Sequence, residues 1–239
     1  MPSRARIFAG LLLAAALQAG TLAVHAEEEM ASGVYLGIDG GLAWGSLDNS
    51  YDCYWYCTSA AELELDTGYA AALKVGWASG KLGIGRIRAE FEAGYRSNDA
   101  ATLALYPVPP VAAHGEVTVN SYMLNVMYDF NVSKRFMPYA GGGLGMAKVD
   151  AGTICGTGAS TTCMSGGSTE FAGQLILGAA LNLTPKASLT ADLRLLVVPN
   201  VTLNYGLNCT SSGANCSANG AEQFDYYSSV LTLGLRYIF

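Results

Sequence analysis

The last nine residues, Leu231 to Phe239, alternate strictly. Leu231, Leu233, Leu235, Tyr237 and Phe239 share one parity, and Thr232, Gly234, Arg236 and Ile238 share the other. A period of two describes a strand with one oily face and one mostly small or polar face. The oily face ends on two aromatic residues. A chain that repeats this pattern must find a home for a whole surface of exposed apolar side chains.

The N-terminus says where that home is. Arg4 and Arg6 precede an apolar run from Ile7 to Leu17, too short to span a bilayer as a helix of about 20 residues. Val24-His25-Ala26 follows as a cleavage-like site. Residues 1–26 therefore read as a signal peptide, and residues 27–239 as one exported domain. Further along, glycine, lysine, aspartate or asparagine interrupts every apolar stretch. Yet 51% of the residues are hydrophobic and only 13% are charged, against about a quarter charged in ordinary soluble domains. In hydrocarbon, only helices and closed barrels satisfy all their backbone hydrogen bonds. An exported, apolar chain without helical spans is expected to form a barrel.

Eight alternating segments are legible: Val34 to Trp44, Thr67 to Trp77, Arg86 to Arg96, Val117 to Phe130, Tyr139 to Val149, Phe171 to Leu183, Ser188 to Val197, and about Asp225 to Phe239. The third is the clearest. Ile87, Ala89, Phe91, Ala93 and Tyr95 alternate with Arg86, Arg88, Glu90, Glu92, Gly94 and Arg96. The fifth is glycine-rich, and Ala140, Leu144 and Met146 are expected to face outward. Short connections (78–85, 131–136, 184–187) alternate with long ones (47–66, 97–116, 150–170, 198–224). That is the layout of an all-β, eight-stranded antiparallel up-and-down transmembrane barrel, short turns periplasmic and long loops extracellular.

Three stretches also carry a likeness. Val34-Tyr-Leu-Gly-Ile-Asp-Gly-Gly41, Pro138-Tyr-Ala-Gly-Gly-Gly-Leu-Gly145 and Leu233-Gly-Leu-Arg-Tyr-Ile-Phe239 resemble the small outer-membrane barrels of the OmpA-like and opacity-protein (Opa-like) superfamily, the "porin family". The resemblance implies an integral outer-membrane location in a Gram-negative bacterium. It also implies contact with lipid and lipopolysaccharide, and docking of the C-terminal strand on the barrel assembly machinery. It specifies a fold far better than an activity. The six cysteines are a departure from the general family pattern.

The inward parity holds almost every strand charge. Six cations (Lys74, Arg86, Arg88, Arg96, Arg194, Arg236) meet five anions (Asp39, Glu90, Glu92, Asp129, Asp192). Side chains nearly fill an eight-stranded barrel, so an ion-pair network that blocks the lumen is expected. An aqueous channel or proton relay is the sharper alternative. A soluble carrier with an apolar lumen is disfavoured, because the charged parity would have to face its ligand.

The cysteines fall as Cys53 and Cys57, Cys155 and Cys163, and Cys209 and Cys216, each pair in a different long loop. Six cysteines allow 15 pairings, and proximity favours three local disulfides formed in the oxidising periplasm. Cys53 and Cys57 also have half of a zinc spacing, but no histidine accompanies them, so no metal is expected. The long loops contain no lysine or arginine. They carry Asp48, Asp52, Glu62, Glu64, Asp66, Asp99, Glu116, Asp150, Glu170 and Glu222, whereas the short turns carry Lys81, Lys134, Arg135 and Lys186. The outer end should attract cations and basic surfaces, and repel nucleic acid.

Catalysis has one candidate set, His114, Glu116 and Ser121, of the kind a lipid A-modifying barrel hydrolase would use. The spacing is not diagnostic, and an enzyme is not expected. No phosphate loop or dinucleotide fingerprint occurs, so no cofactor is expected either. The leading expectation is a structural anchor that displays acidic, disulfide-braced loops to a host or cell-surface partner. Tyr51, Tyr54, Trp55 and Tyr56 are its candidate contact patch. A narrow passive pore for ions or small solutes is the alternative.

Overall fold

The computed structural model describes residues 32–49, 61–105, 108–133, 135–156, 162–207 and 218–239. Every regular element among them is a strand: β1 (Gly33–Asn49), β2 (Ala61–Leu65), β3 (Gly68–Ala78), β4 (Gly85–Leu105), β5 (Val108–His114), β6 (Glu116–Phe130), β7 (Phe136–Gly156), β8 (Thr162–Asn182), β9 (Ala187–Leu207) and β10 (Ala218–Ile238). All pairings are antiparallel. β10 pairs with β1 from Tyr35↔Ile238 to Asp48↔Asp225, so the sheet closes on itself.

The ten segments fill eight places in the ring. β2 and β3 both lie between β1 and β4. β5 and β6 both lie between β4 and β7. Each pair is one strand interrupted. The first break falls at Asp66 and Thr67, where the Asp66 N–H donates to the Asp99 carbonyl at 2.8 Å. The second falls at Gly115, at φ 145°. A Cβ there would sit 2.7 Å from Ile154 Cγ1 and 2.8 Å from the Thr153 carbonyl oxygen, so only glycine fits.

Facing follows the alternation. Leu231, Leu233, Leu235, Tyr237 and Phe239 are exposed, while Val230, Thr232, Gly234, Arg236 and Ile238 are buried. Leu144 and Met146 of the glycine-rich segment are exposed, whereas Ala147 and Val149 are buried. A side chain that looks away from the axis here meets lipid rather than water. Aromatic rings mark both borders of the apolar band. Tyr237 stacks edge-on against Phe239 at 5.3 Å, and Tyr128 against Phe130 at 5.0 Å, at the short-turn end. Trp44, Tyr69, Phe171 and Tyr227 stand near the opposite border.

The strands are longer than the alternation alone suggests. Five of them run for 21 residues. Much of what reads as loop in the sequence (97–116, 150–170, 198–224) is strand. At about 3.3 Å per residue and a tilt near 40°, 21 residues rise roughly 50 Å, twice an apolar band of about 25 Å. The outer half of the wall therefore stands beyond the hydrocarbon.

There the polarity of the two faces inverts. Along β9, Leu189, Leu195 and Val197 face out while Thr190, Asp192 and Arg194 face in. Higher up, Val198, Val201 and Leu203 face in and Asn204 faces out. Asn200, at φ 61°, lies at the point where the inward parity steps from even to odd. β2 repeats the outer pattern, with Ala61 and Leu63 inside and Glu62 and Glu64 outside. The upper interior is one apolar cluster that includes Leu47, Leu63, Leu103, Val119, Val149, Ile154, Val198, Leu203, Phe224 and Tyr226. The upper half packs like a water-soluble barrel, because its outside faces water.

Candidate functional site: the closed interior and the acidic rim

The charged layer sits in the membrane half, and each member is placed by the strand that carries it. Arg86, Arg88, Glu90 and Glu92 climb one face of β4. Asp129 of β6, beside Arg86 in register, uses both carboxylate oxygens: Arg86 Nε donates to one at 2.8 Å and Arg88 Nε to the other at 2.7 Å. Asp192 of β9 accepts from Lys74 Nζ at 3.0 Å, from Arg194 Nη2 at 2.8 Å and from the Tyr139 hydroxyl. Lys74 also pairs with Asp39, and Arg194 with Glu92. Glu90 accepts a hydrogen bond from the Tyr35 hydroxyl at 2.8 Å and lies 3.9 Å from both Arg88 and Arg194. Asn125 donates to Glu90 and Glu92 and accepts from Gln174 at 2.7 Å, tying the carboxylates to β8.

Two cations stand apart. Arg96 donates from Nη1 to Ser121 Oγ at 3.0 Å and pairs with no carboxylate among the described residues. Among the described residues, Arg236 finds no hydrogen-bond partner for any guanidinium nitrogen. The sequence count of six cations against five anions shows an excess but does not say which cation bears it.

Above this layer the lumen is filled by the apolar cluster, a feature the sequence analysis missed. The signal was present: Leu63, Leu103, Val119 and Leu203 sit in stretches read as loop or border, with polar neighbours on the other parity. Among the described residues, the space enclosed by the charged layer is a cavity of about 10 Å³, room for one water molecule. Among the described residues the lumen is therefore charged in the membrane half and apolar above it, not charged throughout.

The acidic residues gather on the outer wall. Asp48 of β1 stands directly opposite Asp225 of β10 and Glu62 of β2, a row of three carboxylates across adjacent strands. Like charges in register repel. Partial burial, then Glu62, Asp225 and Glu64, push the Asp48 carboxyl above its ordinary value of 3.8. A carboxyl whose folded pKa is raised binds its proton more tightly in the folded state. Its stabilising contribution is complete below pH 3.8 and is lost as the pH climbs past the raised value. The rim should therefore resist unfolding better near pH 4 than at pH 7. Asp48→Asn should flatten that dependence in thermal unfolding monitored by limited proteolysis. The wall is not wholly acidic, since Lys148 pairs with Asp150 at 3.0 Å on the exposed face.

Cys155 and Cys163 form a disulfide between the facing ends of β7 and β8, where they are register partners. Cys53, Cys57, Cys209 and Cys216, the aromatic residues Tyr51, Tyr54, Trp55 and Tyr56, and residues 1–26 lie outside the described residues, as does Lys134. The candidate hydrolytic set does not converge. His114 is exposed on β5, Glu116 accepts from Ser97 Oγ at 2.5 Å, and Ser121 is buried against Arg96.

A closed antiparallel wall with an apolar exterior band and an ion-paired interior defines a transmembrane β-barrel. The chain belongs to the outer membrane protein beta-barrel domain family, whose model matches residues 9–239, and it is an integral outer-membrane protein. No curated protein matches the sequence. Among solved structures, it is similar to Neisserial surface protein A (NspA), at 18% identity and TM-score 0.51, over 89% of this chain and 100% of that one. It is also similar to OprG from Pseudomonas aeruginosa, at 14% identity and TM-score 0.52, over 87% and 96%. The outer membrane protease OmpT from Escherichia coli shares 8% identity at TM-score 0.50, over 90% and 99%. At such identities the likeness is one of fold.

Proposed function

We propose that the protein is a structural anchor of the outer membrane whose closed barrel carries an acidic rim above the lipid. One observation supports this most: the interior is occupied along its height, by ion pairs in the membrane half and by an apolar core in the outer half. An ion entering the outer mouth would have to displace a packed hydrophobic cluster and then pass a layer of paired charges. What remains for function is the exterior. The Asp225–Asp48–Glu62 row, with Glu64 beside it, faces water on strands that the barrel holds rigid. Such a surface attracts the divalent cations that bridge lipopolysaccharide, and basic patches on a host or neighbouring cell.

Planar-bilayer recording of the purified mature protein tests the reading. No steady single-channel current is expected at either polarity. A stable, charge-selective conductance that changes in Glu90→Gln would support a narrow pore instead. On the partner side, binding to cells that carry cationic surfaces should weaken with rising salt, and weaken again in Asp48→Asn/Glu62→Gln. Unchanged binding would remove the rim from the account.

A further inference from the structure

Independently of whether the barrel conducts, we propose that a single small inorganic anion of halide size binds inside it, held by Arg236 and Arg88. Arg236 is 4% exposed, and among the described residues its Nε, Nη1 and Nη2 all lack a hydrogen-bond partner. The two oxygens of Asp129 already accept from Arg86 and Arg88, and no described carboxylate takes a hydrogen bond from Arg236. Arg88 itself leaves Nη2 unbonded. Both guanidinium carbons sit close to the Tyr35 ring, at 5.6 Å for Arg88 and 5.8 Å for Arg236, and both side chains line the same cavity. The acids on that cavity are engaged: Glu90 by Tyr35, Asp39 by Lys74, and Asp192 by Lys74, Arg194 and Tyr139.

A buried guanidinium without a partner is costly, and a counter-ion removes that cost. The cavity has a volume of about 10 Å³, so the occupant is water-sized. That size admits a halide with slight side-chain adjustment and excludes phosphate, sulfate or a carboxylate metabolite. The unbonded N–H groups on side chains that line the cavity are charged donors, the recognition chemistry of a spherical anion.

Bromide is the probe. Crystals of the detergent-solubilised mature protein in sodium bromide should show an anomalous peak within hydrogen-bond reach of Arg236. In solution, replacing sodium gluconate by sodium bromide or chloride at fixed ionic strength should raise the unfolding midpoint by roughly 2–5 °C. The rise should vanish in Arg236→Gln and persist in Lys81→Gln, a change in an exposed turn. No bromide peak at Arg236 together with equal midpoints in halide and gluconate would mean that water alone solvates the guanidinium, and would overturn the proposal. A halide effect that persists in Arg236→Gln would overturn it as well. Should that variant fail to fold, the bromide map of the unaltered protein decides.

Discussion

Asp192→Ala should lower the unfolding free energy by about 3–5 kcal/mol, the range for removing one partner from a buried charge network. Asp192 is 1% exposed and joins Lys74 of β3, Tyr139 of β7 and Arg194 of its own strand. Its removal leaves Lys74 with Asp39 alone and deprives Arg194 of one of its two close carboxylates. Neither cation can reach water through the apolar cluster above. Reversible urea unfolding in lipid or detergent, followed by intrinsic fluorescence, reads the loss as a fall in midpoint. Asp99→Ala, on the exposed face of β4, should change it by less than about 0.5 kcal/mol. Equal, small effects for both substitutions would mean that the network does not hold the wall.

The second large effect belongs to the outer half. Phe224 is 2% exposed and pairs in register with Val201 inside the apolar cluster. Phe224→Ala should cost about 3–5 kcal/mol, because the cavity it leaves adds to the lost transfer energy. Leu233→Ala, on the lipid face, should cost about 2 kcal/mol, since lipid chains refill the space and only the transfer part remains. The two variants should also fail differently. Phe224→Ala opens the projecting wall, so proteolysis should nick the outer strand ends while the membrane half stays protected. If Phe224→Ala is as mild as Leu233→Ala, with no new cleavage, the outer half has no core of its own.

Much of this fold was legible in the sequence. Alternation in Arg86 to Arg96 and in Leu231 to Phe239 set the facing of β4 and β10, and the length pattern of connections set the order of the ring. Gly115 and the Asp66–Thr67 break were not legible, because an interrupted strand still alternates on either side of the interruption. The larger miss was the height of the wall. A period of two is the same whichever face is inward, so alternation cannot say whether the outside is lipid or water. In β10 the inward parity never changes, yet its chemistry turns from Arg236, Thr232 and Ser228 to Tyr226 and Phe224. Counting charge per parity over the whole strand averages that switch away. In β9 the same switch is hidden by the parity step at Asn200.

The charged layer shows the same division. Its members could be named from parity alone. Their pairing could not, because partners such as Lys74 and Asp192 lie 118 residues apart and meet only through the closed ring. Nor could the isolation of Arg236, which shows only in the closed ring.

The account stands on where the membrane ends along the strands. Trp44, Trp55 and Trp77 can be replaced by phenylalanine, and single tryptophans placed at outward positions of one strand, Leu195 and Asn204 of β9, in vesicles containing lipids brominated along the acyl chain. Tryptophan at 195 should be quenched strongly by the bromolipid and be insensitive to aqueous iodide. Tryptophan at 204 should show the reverse. Strong bromolipid quenching at both positions would place the whole of β9 in hydrocarbon, and the reading of the outer half as a water-facing wall around an apolar core would be wrong.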